Sequence, residues 1–221
     1  MITQKGRFLI RYEEIDKDYL ESFDFKKLEE KYQEIRKFYS YEKDLPIIRI
    51  CFLYSPEEFL FFTGQEFKEN WMCAMVGYHT TINIFSPSVI EKLTTHKKES
   101  IFKTMAHEIS HIFYGYSKFV HLPLFNEGIA KYHGNKICEN KINFNLPSLK
   151  GGKDPRYDYG VGHLLICSIM NNFGEQGAKK IMEFLKQVSN ETNEKELKNL
   201  FENVFNESAD NLIEMKGGKE K

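Results

Sequence analysis

Two histidines and a glutamate, His107-Glu108-x-x-His111, are the residues of this chain whose types and spacing together specify a chemistry. Residues four apart on a helix lie about 40° from each other around the axis, at roughly 100° per residue, so both imidazoles face one pocket and can hold one metal ion. Glu108 leaves the helix on the neighbouring bearing. From there its carboxylate reaches a water held on the metal without becoming a ligand, which is the arrangement of a zinc hydrolase. With 7 His in 221 residues, composition alone yields this pattern in roughly 2–3 % of such chains, so the flanking residues have to decide.

The flanks are helical. Phe102, Met105, Ile109, Ile112 and Phe113 form one apolar stripe, and Thr104, His107, His111 and Tyr114 form a second that the spacing expects to line a cleft. Glu99 or Ser100 is expected to start the helix and Gly115 to supply its left-handed stop. Catalytic zinc takes three protein ligands and keeps a fourth position for water, so one donor is still missing. Pro123 opens a second helix that carries Glu127. Gly128 inside it costs about 1 kcal/mol relative to Ala and is expected to mark the close approach of another backbone. Glu127 leads the candidates for the third ligand, with His121, His133, Asp154 and Asp158 as competitors. A third histidine at the His-x-x-Gly-x-x-His spacing is excluded, because Tyr114 and Ser117 stand at the required glycine and histidine positions.

These helices need a frame. Arg7–Tyr12 reads as a strand, about Asp18–Tyr39 as an amphipathic helix, and Ile47–Tyr54, after Pro46, as a buried strand. Ser55-Pro56-Glu57-Glu58 starts a helix that ends at Thr63-Gly64. Residues 71–86 read as two short strands joined by a turn around Tyr78–Thr80, with Asn83 as the polar member of the second strand's alternation. A strand there can pair with an extended peptide, and Gly77 would let that backbone come close; an ordinary core hairpin is the other reading. The polar stretch between Gly134 and Tyr157 reads as a loop of the length that lids have. Gly160–Phe173, broken by Gly174, is an apolar helix, and further amphipathic helices run through Ile181 and Leu185, through Leu197 and Phe201, and through Leu212 and Ile213.

His107-Glu108-Ile109-Ser110-His111 followed by Asn126-Glu127-Gly128-Ile129-Ala130 resembles the gluzincin metallopeptidases, and among them the compact peptidase MA-like proteins related to the aminopeptidase N catalytic domain. The paired motifs are specific; elsewhere the likeness is one of loose pattern along most of the chain. The resemblance implies an α+β, zincin-like (thermolysin-type) domain over residues 1–221, with a small, mixed, mostly antiparallel sheet in an N-terminal lobe of about 1–115, the metal helix under it, a helical lobe of about 116–215 and a tail at 216–221. It also implies one zinc per chain on His107, His111 and Glu127, with Glu108 as general base and Tyr159 as the oxyanion donor, Tyr157 and His163 being the alternates. The implied activity is peptide-bond hydrolysis, with a peptide or protein as substrate. A silent relative that binds a peptide or protein partner without cutting it is the alternative. Two departures matter. The interval from His111 to Glu127 is shorter than in the large aminopeptidases, and Lys131 stands where thermolysin-like relatives place an acid that supports a zinc histidine.

Composition narrows the partners. The charges nearly cancel, at 31 basic and 32 acidic residues, and no basic block interleaved with aromatics points to nucleic acid. No apolar run suits a signal peptide or a membrane span, so a cytoplasmic protein is expected. Cys51, Cys73, Cys138 and Cys167 show no Cys-x-x-Cys spacing and read as free thiols. Nothing in the sequence sets an oligomeric state.

Overall fold

A computed structural model describes residues 1–135, 148–151 and 155–214. The chain is mixed α and β, mostly helical, with one small mixed sheet. It divides into two compact units, Met1–Ile35 with Glu42–Ile112, and Arg36–Tyr41 with Phe113–Lys221.

The first unit holds the sheet. Its strands are β1 (Ile2–Lys5), β2 (Phe8–Arg11), β3 (Ile48–Leu53), β4 (Ala74–Val76) and β5 (Thr81–Phe85), in the spatial order β1-β2-β3-β5-β4. The expectation of a mostly antiparallel sheet is corrected: two ladders are antiparallel (β1–β2, β4–β5) and the two central ones, β2–β3 and β3–β5, are parallel. The reason lies in the connections. A short turn returns the chain antiparallel, whereas a helical crossover brings it back parallel. Between β2 and β3 run α1 (Lys17–Ser22) and α2 (Phe25–Phe38), and α3 (Pro56–Thr63) follows β3. The region expected as one helix from Asp18 is therefore two, separated at Phe23 and Asp24, and β1 is a strand that the sequence reading missed.

From β2 to β4 one face of the sheet is apolar. Ile10 pairs with Ile50 and Ile50 with Ile82, while Phe52 pairs with Ile84; all five are fully buried. Phe8 on β2 meets Phe25 on α2 at 6.2 Å between ring centroids. Arg7 stacks 3.9 Å over the Tyr32 ring and bonds Glu29, which pins α2 to the same strand. On the other face Phe59 of α3 stacks on Phe85 at 5.4 Å. The ends of α3 are as expected: Ser55 accepts a hydrogen bond from the Glu58 amide, Pro56 opens the helix, and Gly64 closes it at φ 71°. Asn83 does not face solvent as its place in the alternation implied. It is 1 % exposed, and Gly77 leaves room for its amide, since a Cβ on Gly77 would lie 2.6 Å from Asn83 Nδ2. The hairpin itself is present, with β4 at the sheet edge and His79 in the turn at φ 56°.

After the short α4 (Ile90–Leu93) comes α5 (Ile101–Tyr116). Gly115 is not its stop. The helix runs one residue further, and Lys118 takes the left-handed conformation at φ 56° instead. The second unit contains α6 (Pro123–Gly134), α7 (Pro155–Phe173), α8 (Glu175–Gln187), α9 (Glu194–Phe205) and α10 (Ala209–Glu214). Its core is aromatic: Phe125 of α6, Phe184 of α8 and Phe201 of α9 are fully buried, with centroids 4.9 Å apart for the first pair and 5.5 Å for the second. An Asn193–Glu196 capping box starts α9, and Gly174 breaks the chain before α8 at φ 54°. Among the described residues no helix is long and apolar enough to cross a membrane.

Cys51 and Cys73 are free, as expected; Cys167 is not, being disulfide-bonded, and Cys138 lies outside the described residues. Burial pushes the Cys73 thiol up to about 12, reinforced by the charge of Glu108 and opposed by a hydrogen bond with Thr104. Only the thiolate attacks an alkylating agent, so at pH 8 native Cys73 is expected to stay unlabelled by iodoacetamide and to label once the protein is unfolded, as peptide mass mapping would show. Labelling of Cys73 in the native protein at the rate of the unfolded chain would contradict this packing.

Candidate metal centre

The amphipathic pattern of α5 decides where its polar side chains go. Met105, Ile109, Ile112 and Phe113 are at most 2 % exposed and turn one side of the helix into core. His107 and His111, on another side, are half-buried. Their Nε2 atoms lie 3.0 Å apart, with the rings edge-on at 81° and 4.6 Å between centroids. Glu108 is 6 % exposed and sits one turn after Thr104, whose hydroxyl is 3.8 Å from Cys73 Sγ.

Glu127 comes from α6. Pro123 stands at the first helical position, where its missing N–H costs nothing, and Leu124 and Phe125 bury completely. With that side of the helix committed, Glu127 falls on a half-buried side, one of its oxygens closed off from solvent. His107, His111 and Glu127 each offer a ligand atom within 4.8 Å of the others. Two imidazole nitrogens and one carboxylate oxygen at this spacing can hold a metal ion.

No known family model matches this chain, and no curated protein matches it.

Among the described residues this is the group whose donor atoms converge. The competing ligands go elsewhere. His121 is exposed, His133 is 2 % exposed with its ring edge-on to Phe38 at 4.8 Å, Asp158 is 3 % exposed and outside the group, and Asp154 lies outside the described residues. Tyr157, Tyr159 and His163 lie on the first turns of α7, a helix that begins at Pro155 rather than at Gly160. Tyr159 is half-buried, whereas His163 is 4 % exposed with Nε2 2.9 Å from the Asn135 carbonyl oxygen. Burial and the nearby carboxylates of Asp158 and Asp210 raise the pKa of Tyr157. Most of the stretch read as a lid-length loop, 136–147 and 152–154, lies outside the described residues, as does the 216–221 tail.

The backbone approach expected at Gly128 is there. A Cβ on Gly128 would lie 2.5 Å from the carbonyl carbon and oxygen of Gly162 on α7, and one on Gly162 would strike the Leu124 carbonyl oxygen. Gly162 was missed as a structural partner, although a second glycine inside an apolar helix is the signal that points to it. Tyr114 was misplaced: instead of lining a cleft beside the histidines, it is 4 % exposed.

Alanine at either glycine has to push α6 and α7 apart. Gly128→Ala and Gly162→Ala are each expected to destabilise the protein by about 1–3 kcal/mol or more. Gly115→Ala, with nothing within 4 Å of the added methyl, should instead be neutral or stabilising by up to about 1 kcal/mol from helix propensity. Denaturant melts of the three variants test this, and a Gly162→Ala variant as stable as the parent would reject the tight crossing.

Proposed function

We propose that the protein is a zinc-dependent metallopeptidase with a zincin-type fold. The observation that carries this reading is the convergence of His107, His111 and Glu127 with a buried glutamate, Glu108, next to the first histidine on the same helix. The resemblance of the two motifs to those of gluzincins adds to it. His107, His111 and Glu127 hold the ion, one per chain. When bound, zinc acts as a Lewis acid, polarising the scissile carbonyl and lowering the pKa of water to about 7.

The protein's own residues do the rest. Glu108 takes a proton from the water as its oxygen bonds to the peptide carbonyl carbon, and then delivers that proton to the amide nitrogen as the C–N bond breaks. The products are a carboxylic acid and an amine, so one water is consumed per bond cut. A metal-binding module that only holds a partner gains nothing from a proton shuttle, which favours the enzyme over the silent alternative. Tyr159, half-buried at the start of α7, is the hydroxyl donor assigned to the oxyanion that develops on the carbonyl. The substrate class is a peptide or protein.

Purified protein is expected to carry about one zinc per chain by elemental analysis. Glu108→Gln should keep the zinc and lower peptide hydrolysis by about 10²–10⁴-fold, the range for losing a positioned base. Glu127→Ala should weaken zinc binding by more than about 100-fold, the upper end for losing a group that merely supports a ligand. Protein that takes up no zinc on reconstitution would reject the site. Hydrolysis that survives Glu108→Gln unchanged would reject the role of Glu108, and full zinc with no hydrolysis of a peptide library would favour the binding-only alternative.

A further inference from the structure

Nothing in the donor triad explains what fixes the approach of α6, and therefore of Glu127, after α5 has ended. The connector, residues 117–122, is short and turns sharply, with Lys118 in the left-handed conformation. The cap residue of α6, Leu122, makes no side-chain capping bond. A helix start without such a bond leaves its first amides in need of acceptors.

The Tyr114 hydroxyl supplies one. It donates to the Val120 carbonyl oxygen at 2.9 Å and accepts from the Leu122 amide at 3.3 Å. Tyr114 is 4 % exposed, and Phe119 lies edge-on to its ring at 5.5 Å. In the next peptide unit, the carbonyl oxygen of the same Leu122 accepts the amides of Phe125 and Asn126, at 3.0 and 2.9 Å. Asn126 is bonded covalently to Glu127. A continuous path therefore runs from His111 along one turn of α5 to Tyr114, through its hydroxyl to Leu122, and through the Leu122 carbonyl to the turn that presents Glu127. The two ends of the path are ligands. Burial raises the pKa of Tyr114, outweighing the opposing hydrogen bond from Leu122, so the hydroxyl keeps its proton at working pH and can donate and accept at once.

We propose that Tyr114 is a positioning residue of the metal centre, whose hydroxyl straps the α5–α6 connector and thereby sets Glu127 at ligand distance from the histidines of α5. The inference rests on the zinc reading above. Three proteins test it beside the parent. Tyr114→Phe removes only the hydroxyl, Glu127→Ala removes the ligand, and Val204→Ala, in the α9 core, lowers stability away from the path. Zinc affinity is read by competition with a chromophoric chelator, and the ligand field from the visible spectrum of the cobalt-loaded protein. Tyr114→Phe is expected to weaken zinc by about 10–100-fold, as loss of ligand-orienting groups does, and to change the cobalt spectrum toward that of Glu127→Ala. Val204→Ala should lower Tm with neither change.

Parent-like affinity and cobalt spectrum in Tyr114→Phe, with Glu127→Ala impaired, would overturn the strap and leave the zinc site standing. If the parent binds no zinc, both fail. Should Tyr114→Phe not fold, amide exchange on the parent decides. The Leu122 amide is expected to be protected to the same degree with zinc bound and after chelation, because the strap precedes the metal. Exchange at the free-peptide rate would overturn it.

Discussion

In the second unit two helix backbones approach closely, and the approach depends on what is absent. Where α6 crosses α7, neither Gly128 nor Gly162 carries a Cβ, and the space one would occupy is taken by the other helix's main chain. Each glycine costs helix propensity. The offset is a crossing that locks the middle of α6 in place, one residue from Glu127. The start of the same helix is held by an unrelated device, the Tyr114 hydroxyl on Leu122. Two fixed points along a rigid rod set where the remaining side chains leave it, Glu127 among them.

The helix of the two histidines works by the opposite logic. It is held by what it buries: Met105, Ile109, Ile112 and Phe113 commit one side to core, and the remaining bearings leave the imidazoles half-buried and the Glu108 carboxylate nearly enclosed. Packing energy thus keeps a costly carboxylate away from water.

These differences explain what could be read from the sequence. The bearings of His107, Glu108 and His111 follow from helical period alone, and Ser55, Pro56 and Gly64 announced the ends of α3 through local chemistry that the structure repeats. Gly128 declared that something came close but could not name Gly162, because the partner is chosen by the path of the chain. The direction of the sheet's ladders was legible in principle, since helices lie between β2 and β3 and after β3, yet the one hairpin read from the sequence, at residues 71–86, dominated the reading. Gly115 looked like a helix stop by residue type, whereas the turn was made at Lys118, where the strap from Tyr114 draws the chain back and a non-glycine residue accepts a left-handed conformation. Asn83 broke the alternation rule because a neighbouring glycine made room for it inside.

The sheet's mixed order has a consequence for how the chain reaches this structure. Its two antiparallel ladders, β1–β2 and β4–β5, join strands separated by short turns, and hairpins of that kind close in about 1–10 μs. The parallel ladders on either side of β3 cannot form until α2 has bridged β2 to β3 and the chain from α3 through β4 has returned to β5, so each carries a larger loop-closure entropy. β3 is therefore the strand on which two early hairpins wait. Until it inserts, each presents an open edge along what will become the centre of the sheet, and the rate of that insertion governs how long those edges are exposed to other chains.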